Sequence, residues 1–259
     1  MLIMPANNTG KAVVDLWSKY PSRLGAMISV RAGGGDGWAS RAVDNVPYAI
    51  DNGRFVACTK HKAWNMEDFY GLLDKAVAAI NKPLFVTVPD VVGSASQTLD
   101  EWDRWTTTGR FMDYGFPLAC VAQDGMEPDD IPNEADVVFI GGSPLWKKAN
   151  LWKYCQAFER VHVGGINSVS GLWHCHNSGA MSIDGTGWTR GDKKQWIGLL
   201  QYLYRSNLDL GNQQLLLFNL WQSESSGGVI HADVDDLIAG GWGMSGQSTT
   251  VHRTHSIRL

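Results

Sequence analysis

Three aspartates and a glutamine in this 259-residue chain each stand directly behind a short apolar run. Asp51 follows Val46 to Ile50, Asp90 follows Leu84 to Pro89, Gln123 follows Pro117 to Ala122, and Asp184 follows Met181 to Ile183. Two further runs, Val137 to Ile140 and Val161 to Val163, end in the glycine pairs Gly141-Gly142 and Gly164-Gly165. An unpaired carboxylate is costly to bury, so an acid at the end of an apolar run needs a partner or a purpose. One such acid reads equally as a helix cap or the partner of a nearby arginine. Several at one site can divide labour, one as nucleophile and another as acid/base, when their surroundings push their pKa values apart. A third acid with a glutamine suits the donor edge of a purine-like base, because a carboxylate accepts from N–H groups while an amide both donates and accepts.

These groups meet only if the runs are aligned. Short apolar runs with turn residues behind them read as buried strands. When helices separate such strands, the strands lie parallel and their C-terminal ends share one rim. The expected fold class is therefore α/β, a TIM-type (β/α)8 barrel whose rim carries the site, in a single domain over residues 1–259. Leu24 to Val30 reads as the first strand, followed by a Gly33-Gly34-Gly35 loop over the pocket. The Gly-rich segment lacks the order and the Gly-Lys-Ser/Thr ending of a phosphate-binding loop. Helices are expected over Met66 to Ile80 with Asn65 as N-cap, over Pro144 to Phe158 with proline at the first helical position, over Ser168 to Asn177 and over Lys193 to Tyr204. Ser96 to Arg104 is a polar and aromatic segment between two strands. Gln213 to Leu220 is either the eighth strand or a core helix, and residues 240–259 form a tail rich in Gly, Ser and Thr.

Composition narrows the function classes. Hydrophobic residues make up 44% and charged residues 19%, which is ordinary for a globular chain with a large core. The net charge of −4 gives no global attraction to nucleic acid, so any such contact must come from local patches. No apolar stretch approaches the ~20 residues of a membrane span, and the start MLIMPANNTGK lacks the pattern of a secretion signal. No membrane association is expected. Cys58, Cys120, Cys155 and Cys175 read as thiols of a reducing compartment, which points to the cytoplasm. Two basic clusters flank the acids: Lys60, His61 and Lys62 after Asp51, and Arg190, Lys193 and Lys194 after Asp184. They suit phosphates at the rim, or else solvate helix starts. Trp64 and Trp188 beside them suit stacking on an extruded base, or else cover core. The Trp173-His174-Cys175-His176 segment reads as part of a helix, because residues two apart point to different sides and no further ligand stands at a zinc spacing.

The order and spacing of these segments resemble the tRNA-guanine transglycosylases, and more closely the phage-type DNA-guanine transglycosylases (the DpdA group). Asp51-Asn52-Gly53-Arg54-Phe55 resembles the family's D-S-G-G-F segment, whose Asp is acid/base. Val88-Pro89-Asp90 matches the place of the Asp that reads the guanine edge. Val121-Ala122-Gln123-Asp124-Gly125 resembles the V-Q-G segment, whose Gln also holds the base. Ile140-Gly141-Gly142 resembles the L-G-G segment, whose backbone N–H groups approach the base carbonyl, and Val163-Gly164-Gly165 the following G-V-G strand end. Asp184 to Arg190 keeps the spacing of the D-x4-T-R segment, whose Asp is the nucleophile. Together the six motifs span Ile50 to Arg190, about half the chain.

Three departures shape what the resemblance implies. The tRNA enzymes carry a C-x-C-x2-C plus His zinc site after the nucleophile strand, and here no cysteine follows Cys175. No RNA-binding appendage follows the barrel, so the expectation is a barrel with no zinc subdomain, no metal and no cofactor. Arg54 replaces a glycine and places a cation beside the site, to meet a phosphate or pair with Asp51 or Asp90. The resemblance thus implies exchange of guanine in phage DNA for a free 7-deazaguanine base such as preQ0, in the host cytoplasm if a phage encodes the chain. Asp184 and Asp51 would be catalytic, and Asp90, Gln123, Gly141, Gly142, Gly164 and Gly165 would hold the base. Arg190, Lys193, Lys194, Lys60 and Lys62 would hold the polymer. Action on tRNA, or a catalytically silent barrel that binds nucleic acid or a partner, is the alternative, and a homodimer is among the assemblies open to it.

Overall fold

In a computed structural model of the chain, eight parallel strands close into a barrel with helices between them. The structure describes residues 1–31, 35, 37–107, 109–190 and 193–208. The strands are β1 (Leu2–Pro5), β2 (Ala26–Ser29), β3 (Tyr48–Asp51), β4 (Val86–Thr87), β5 (Leu118–Ala122), β6 (Val137–Ile140), β7 (Val161–Val163) and β8 (Ser182–Gly185). Each pairs with its sequence neighbour, and β1 pairs in parallel with β8 through Leu2 to Pro5 against Ser182 to Gly185. Bridges from Ile3 to Leu24 and from Ala6 to Met27 join β1 to β2 and complete the ring.

The count of eight is reached differently from the sequence-based expectation. Leu24 to Val30 contains the second strand, not the first, because Leu2–Pro5 precedes it in the barrel. The eighth strand is the one that carries Asp184, so no strand from Gln213 to Leu220 is needed for closure. That segment and the 240–259 tail lie outside the described residues.

Between the strands the helices form where periodicity and capping agree. The helix Met66–Ala78 buries Phe69, Leu72, Leu73 and Ala76, the i, i+3, i+4, i+7 stripe of an amphipathic helix. The Asn65 side chain accepts from the Glu67 N–H at 3.0 Å and caps it as expected. The helix Pro144–Ala157 starts behind Ser143, whose hydroxyl accepts from the Trp146 N–H. The helix Val169–Ser178 starts behind Ser168 and stops at Gly179, whose φ of +90° suits glycine alone. The polar, aromatic segment near Ser96 lies in the helix Ala95–Thr107, which buries Thr98, Trp102 and Trp105. Residues 193–208 are helical as well. Among the described residues no helix is long and apolar enough to cross a membrane.

Strand alternation divides the barrel into two packed zones. Outward residues such as Ile50, Val86, Cys120, Val138, Val161 and Ile183 pack on the helices in the main core. Inward residues, among them Met4, Met27, Ala49, Phe85, Val121 and Phe139, form a second apolar cluster. Because side chains alternate with a period of two, the position two residues beyond an inward residue faces inward as well, one layer closer to the C-terminal rim.

Candidate active site

That alternation decides which polar side chains enter the barrel. Asp51 stands two residues after Ala49, Gln123 two after Val121, and Asp184 two after Ser182, itself fully buried. The same layer receives no side chain from Gly141 or Gly164. Asp90 follows β4 by three residues and is buried against β5 through Gln123. The barrel mouth thus gathers all four groups that the apolar runs end on.

Asp51 is set by a tight turn. The Gly53 N–H donates to Asp51 Oδ2 at 3.2 Å, and Gly53 adopts φ +79° with its Cα against Val30. A Cβ there would meet the Val30 carbonyl oxygen at 2.9 Å, so glycine is required twice over. Burial raises the Asp51 pKa from 3.8 to about 7, and the neighbouring charges of Asp184 and Asp90 push the same way. The N–H groups of Gly53 and Asn52 oppose this without cancelling it. Asp51 therefore keeps a proton to near neutrality and can both give and take one.

Asp90 lies in a network of amides. Asn52 Nδ2 donates to Asp90 Oδ1 at 3.0 Å and Gln123 Nε2 to Asp90 Oδ2 at 2.7 Å. Asn52, 1% exposed, also donates to the Val88 carbonyl, while its own amide oxygen accepts from the Arg54 N–H. Gln123 Oε1 accepts from the Gly93 N–H at 3.1 Å, which fixes the amide orientation. Burial raises the Asp90 pKa, opposed by Asn52, Arg54 and Gln123. Arg54 does not pair with Asp51 or Asp90 through their carboxylates. Its guanidinium pairs with Glu101 at 2.9 Å, donates to the Asp90 backbone carbonyl at 2.9 Å and stacks over Trp64 at 4.5 Å. It buttresses the loop behind the acid and does not pair with either carboxylate.

Asp184 is held from both sides. Oδ1 accepts from the Gly165 N–H at 3.1 Å, and Oδ2 lies 3.1 Å from His162 Nε2. Lys147, from the helix behind Gly141-Gly142, donates to the Gly164 carbonyl at 2.6 Å. Burial lowers the Lys147 pKa, while the Asp184 charge raises it. Sequence reasoning missed His162, Lys147 and Asn52. His162 and Asn52 each had a signal, as inward or turn neighbours of a recognised strand end, whereas Lys147 is one of several lysines on its helix.

The glycine pairs do two kinds of work. The Gly141 N–H donates to the Ala122 carbonyl, the Gly164 N–H to the Ile140 carbonyl and the Gly165 N–H to Asp184. A Cβ at Gly164 would come within 2.5 Å of the Phe139 ring, and one at Gly141 within 2.7 Å of Val121. The missing side chains leave that space to Phe139 and Val121. Of the basic residues, Lys60 and Lys62 are exposed beyond the short helix Arg54–Thr59 that follows β3, and Lys193 and Lys194 are exposed in the helical stretch 193–208. The Arg190 side chain and most of the Gly33-Gly34-Gly35 loop lie outside the described residues. Trp188 is 1% exposed and packs in the core, so it offers no face to an extruded base. Trp64 is half-buried, with Arg54 over its ring and its Nε1–H on the Asn52 carbonyl. His174 meets the Lys148 carbonyl and His176 the Tyr202 hydroxyl, on different sides of their helix. Among the described residues no group of three or more His, Cys, Asp and Glu is arranged to hold a metal ion.

Compared with known proteins, the chain matches no protein-family model and no curated protein.

Proposed function

We propose that this chain exchanges guanine in DNA for a 7-deazaguanine base such as preQ0 by two displacements at C1′. The observation that carries the reading is the pairing of two unlike carboxylates at one mouth. Asp51 holds a proton to about pH 7, while Asp184 is fixed by the Gly165 N–H and by His162. In the first step an Asp184 oxygen bonds to C1′ as the C1′–N9 bond breaks, and the Asp51 proton neutralises the departing guanine. In the second, Asp51 takes the N9 proton of the incoming base, N9 bonds to C1′, and Asp184 leaves as carboxylate. Two inversions give net retention. Whichever Asp184 oxygen forms the ester, the other keeps a hydrogen-bond partner, so the leaving carboxylate is stabilised in the second step. Asp90 and Gln123, joined to one another at 2.7 Å, suit the edge of a flat base. The target must leave the duplex stack to reach them, at a cost of roughly a few kcal/mol.

DNA is favoured over tRNA by the absence of cysteines after Cys175 and by the motif resemblance to the DNA-modifying branch. Incubation with labelled guanine and either duplex DNA or tRNA tests the proposal. Label in DNA is the expected result. Label in tRNA alone would transfer the reading to the tRNA enzymes, and label in neither would overturn guanine exchange.

A further inference from the structure

We infer that His162 is a positioning residue for Asp184, locked by Ser182 as the tautomer that carries its proton on Nε2. The inference rests on Asp184 acting as the nucleophile of the proposed exchange. His162 and Ser182 are register partners on the adjacent strands β7 and β8, and Asp184 is the next inward residue along β8. The imidazole, 0% exposed, therefore spans two successive inward positions of its neighbour: Nδ1 lies 2.8 Å from Ser182 Oγ and Nε2 lies 3.1 Å from Asp184 Oδ2. The rings of Phe139 and Phe85, with centroids 4.6 and 5.2 Å away, pack against it and restrict its rotation.

The donor pattern follows from which groups own a proton. An ionised carboxylate only accepts, so the nitrogen facing it must donate. A neutral imidazole has one N–H, which leaves Nδ1 as acceptor, and the Ser182 hydroxyl has a proton to give it. The chain of donors runs from Ser182 to His162 to Asp184 Oδ2, while the Gly165 N–H holds Oδ1. Both oxygens of the nucleophile are thereby fixed in direction before substrate arrives. For a displacement at C1′ this matters, because reacting atoms must already stand in line and small misplacements slow the step steeply.

The test reads the tautomer first, without substrate. In the full chain labelled with 15N-histidine, two-bond 1H–15N correlation spectra at neutral pH should show His162 protonated on Nε2 and bare on Nδ1. The signals are assigned by their loss in His162→Gln. A proton on Nδ1, or on both nitrogens, would overturn the lock. Ser182→Ala should then give a mixture of tautomers, lower kcat by about 10-fold and leave KM for the free base unchanged. An unchanged tautomer, or an effect on KM alone, would also overturn it. His162→Phe should lose about 100-fold in kcat, and His162→Gln, which keeps a donor at that end, should recover most of it. A chain with the Nε2–H tautomer that exchanges no guanine would defeat the proposed function and leave the tautomer lock standing, so the two failures are distinguishable.

Discussion

Replacing Asp51 by Asn should make the protein more stable, and only above mildly acidic pH. In the folded chain Asp51 holds its proton to about pH 7, against a value of 3.8 for a free side chain. Between those limits the folded state binds a proton that the unfolded chain has lost, so unfolding releases it. The sign follows: the contribution of Asp51 to stability is fully present below about pH 4 and is lost as pH rises through about 7. A shift of about three units corresponds to a ceiling of about 4 kcal/mol, at 1.36 kcal/mol per unit. Burial supplies the larger part of that shift and the charges of Asp184 and Asp90 the rest. Asparagine has nearly the shape of aspartate, can still accept from the Gly53 N–H, and has no charge to bury. Urea denaturation of parent and Asp51→Asn at a series of pH values from 4 to 8 measures the difference. The curves should agree near pH 4 and separate by a few kcal/mol in favour of the variant by pH 8, while guanine exchange is lost throughout. A difference that stays constant with pH, or a parent that is the more stable at pH 8, would refute the claim that Asp51 is held protonated.

Asp184→Asn should keep the fold and lose exchange by several orders of magnitude, and a denaturing gel should show no covalent adduct with the substrate polymer. Asp90→Ala should weaken binding of the free base by about 1–3 kcal/mol, read by calorimetric titration, since it removes the acceptor shared by Asn52 and Gln123. Unchanged affinity would place the base elsewhere. Lys193 and Lys194 changed together to Ala should weaken DNA binding at all sequences and make its salt dependence shallower, without affecting the free base. Superimposable binding curves would leave them as a solvated helix start. Gly164→Ala should cost about 1–3 kcal/mol in urea denaturation, because the new Cβ would press on the Phe139 ring at 2.5 Å.

Most of the barrel was legible in the sequence because strands buried on both faces are written as uninterrupted apolar runs. Tyr48 to Ile50, Leu118 to Ala122 and Val137 to Ile140 are all of that kind. Leu2–Pro5 belongs with them, yet it is only four residues long, and its pairing with β8 is what reveals it as a strand. The polar rim was legible for the same reason in reverse: Asp51, Gln123 and Asp184 interrupt apolar runs at positions where the pleat turns them inward. His162 escaped because it sits inside a three-residue run, Val161–Val163, where a histidine reads as filler; its importance depends on β7 and β8 being adjacent and in register. The surroundings of Arg54 and Trp188 stayed open in the sequence for another reason. Proximity in sequence to Asp51 and Asp184 says nothing about which side of the backbone a side chain leaves from, and Glu101 and the helical core claim them respectively.

The closure of the ring through β1 and β8 also bears on how the protein comes into being. The strand that β1 pairs with along Ser182 to Gly185 is made some 180 residues after it. Until then one edge of β1 has no parallel partner, and the nascent sheet exposes a row of unsatisfied backbone groups on either side of the gap. Asp184 arrives on the segment that seals this gap. Under the proposed function the seam that joins β8 to β1 also brings in the nucleophile, and a chain interrupted before it would carry Asp51, Asp90 and Gln123 without Asp184.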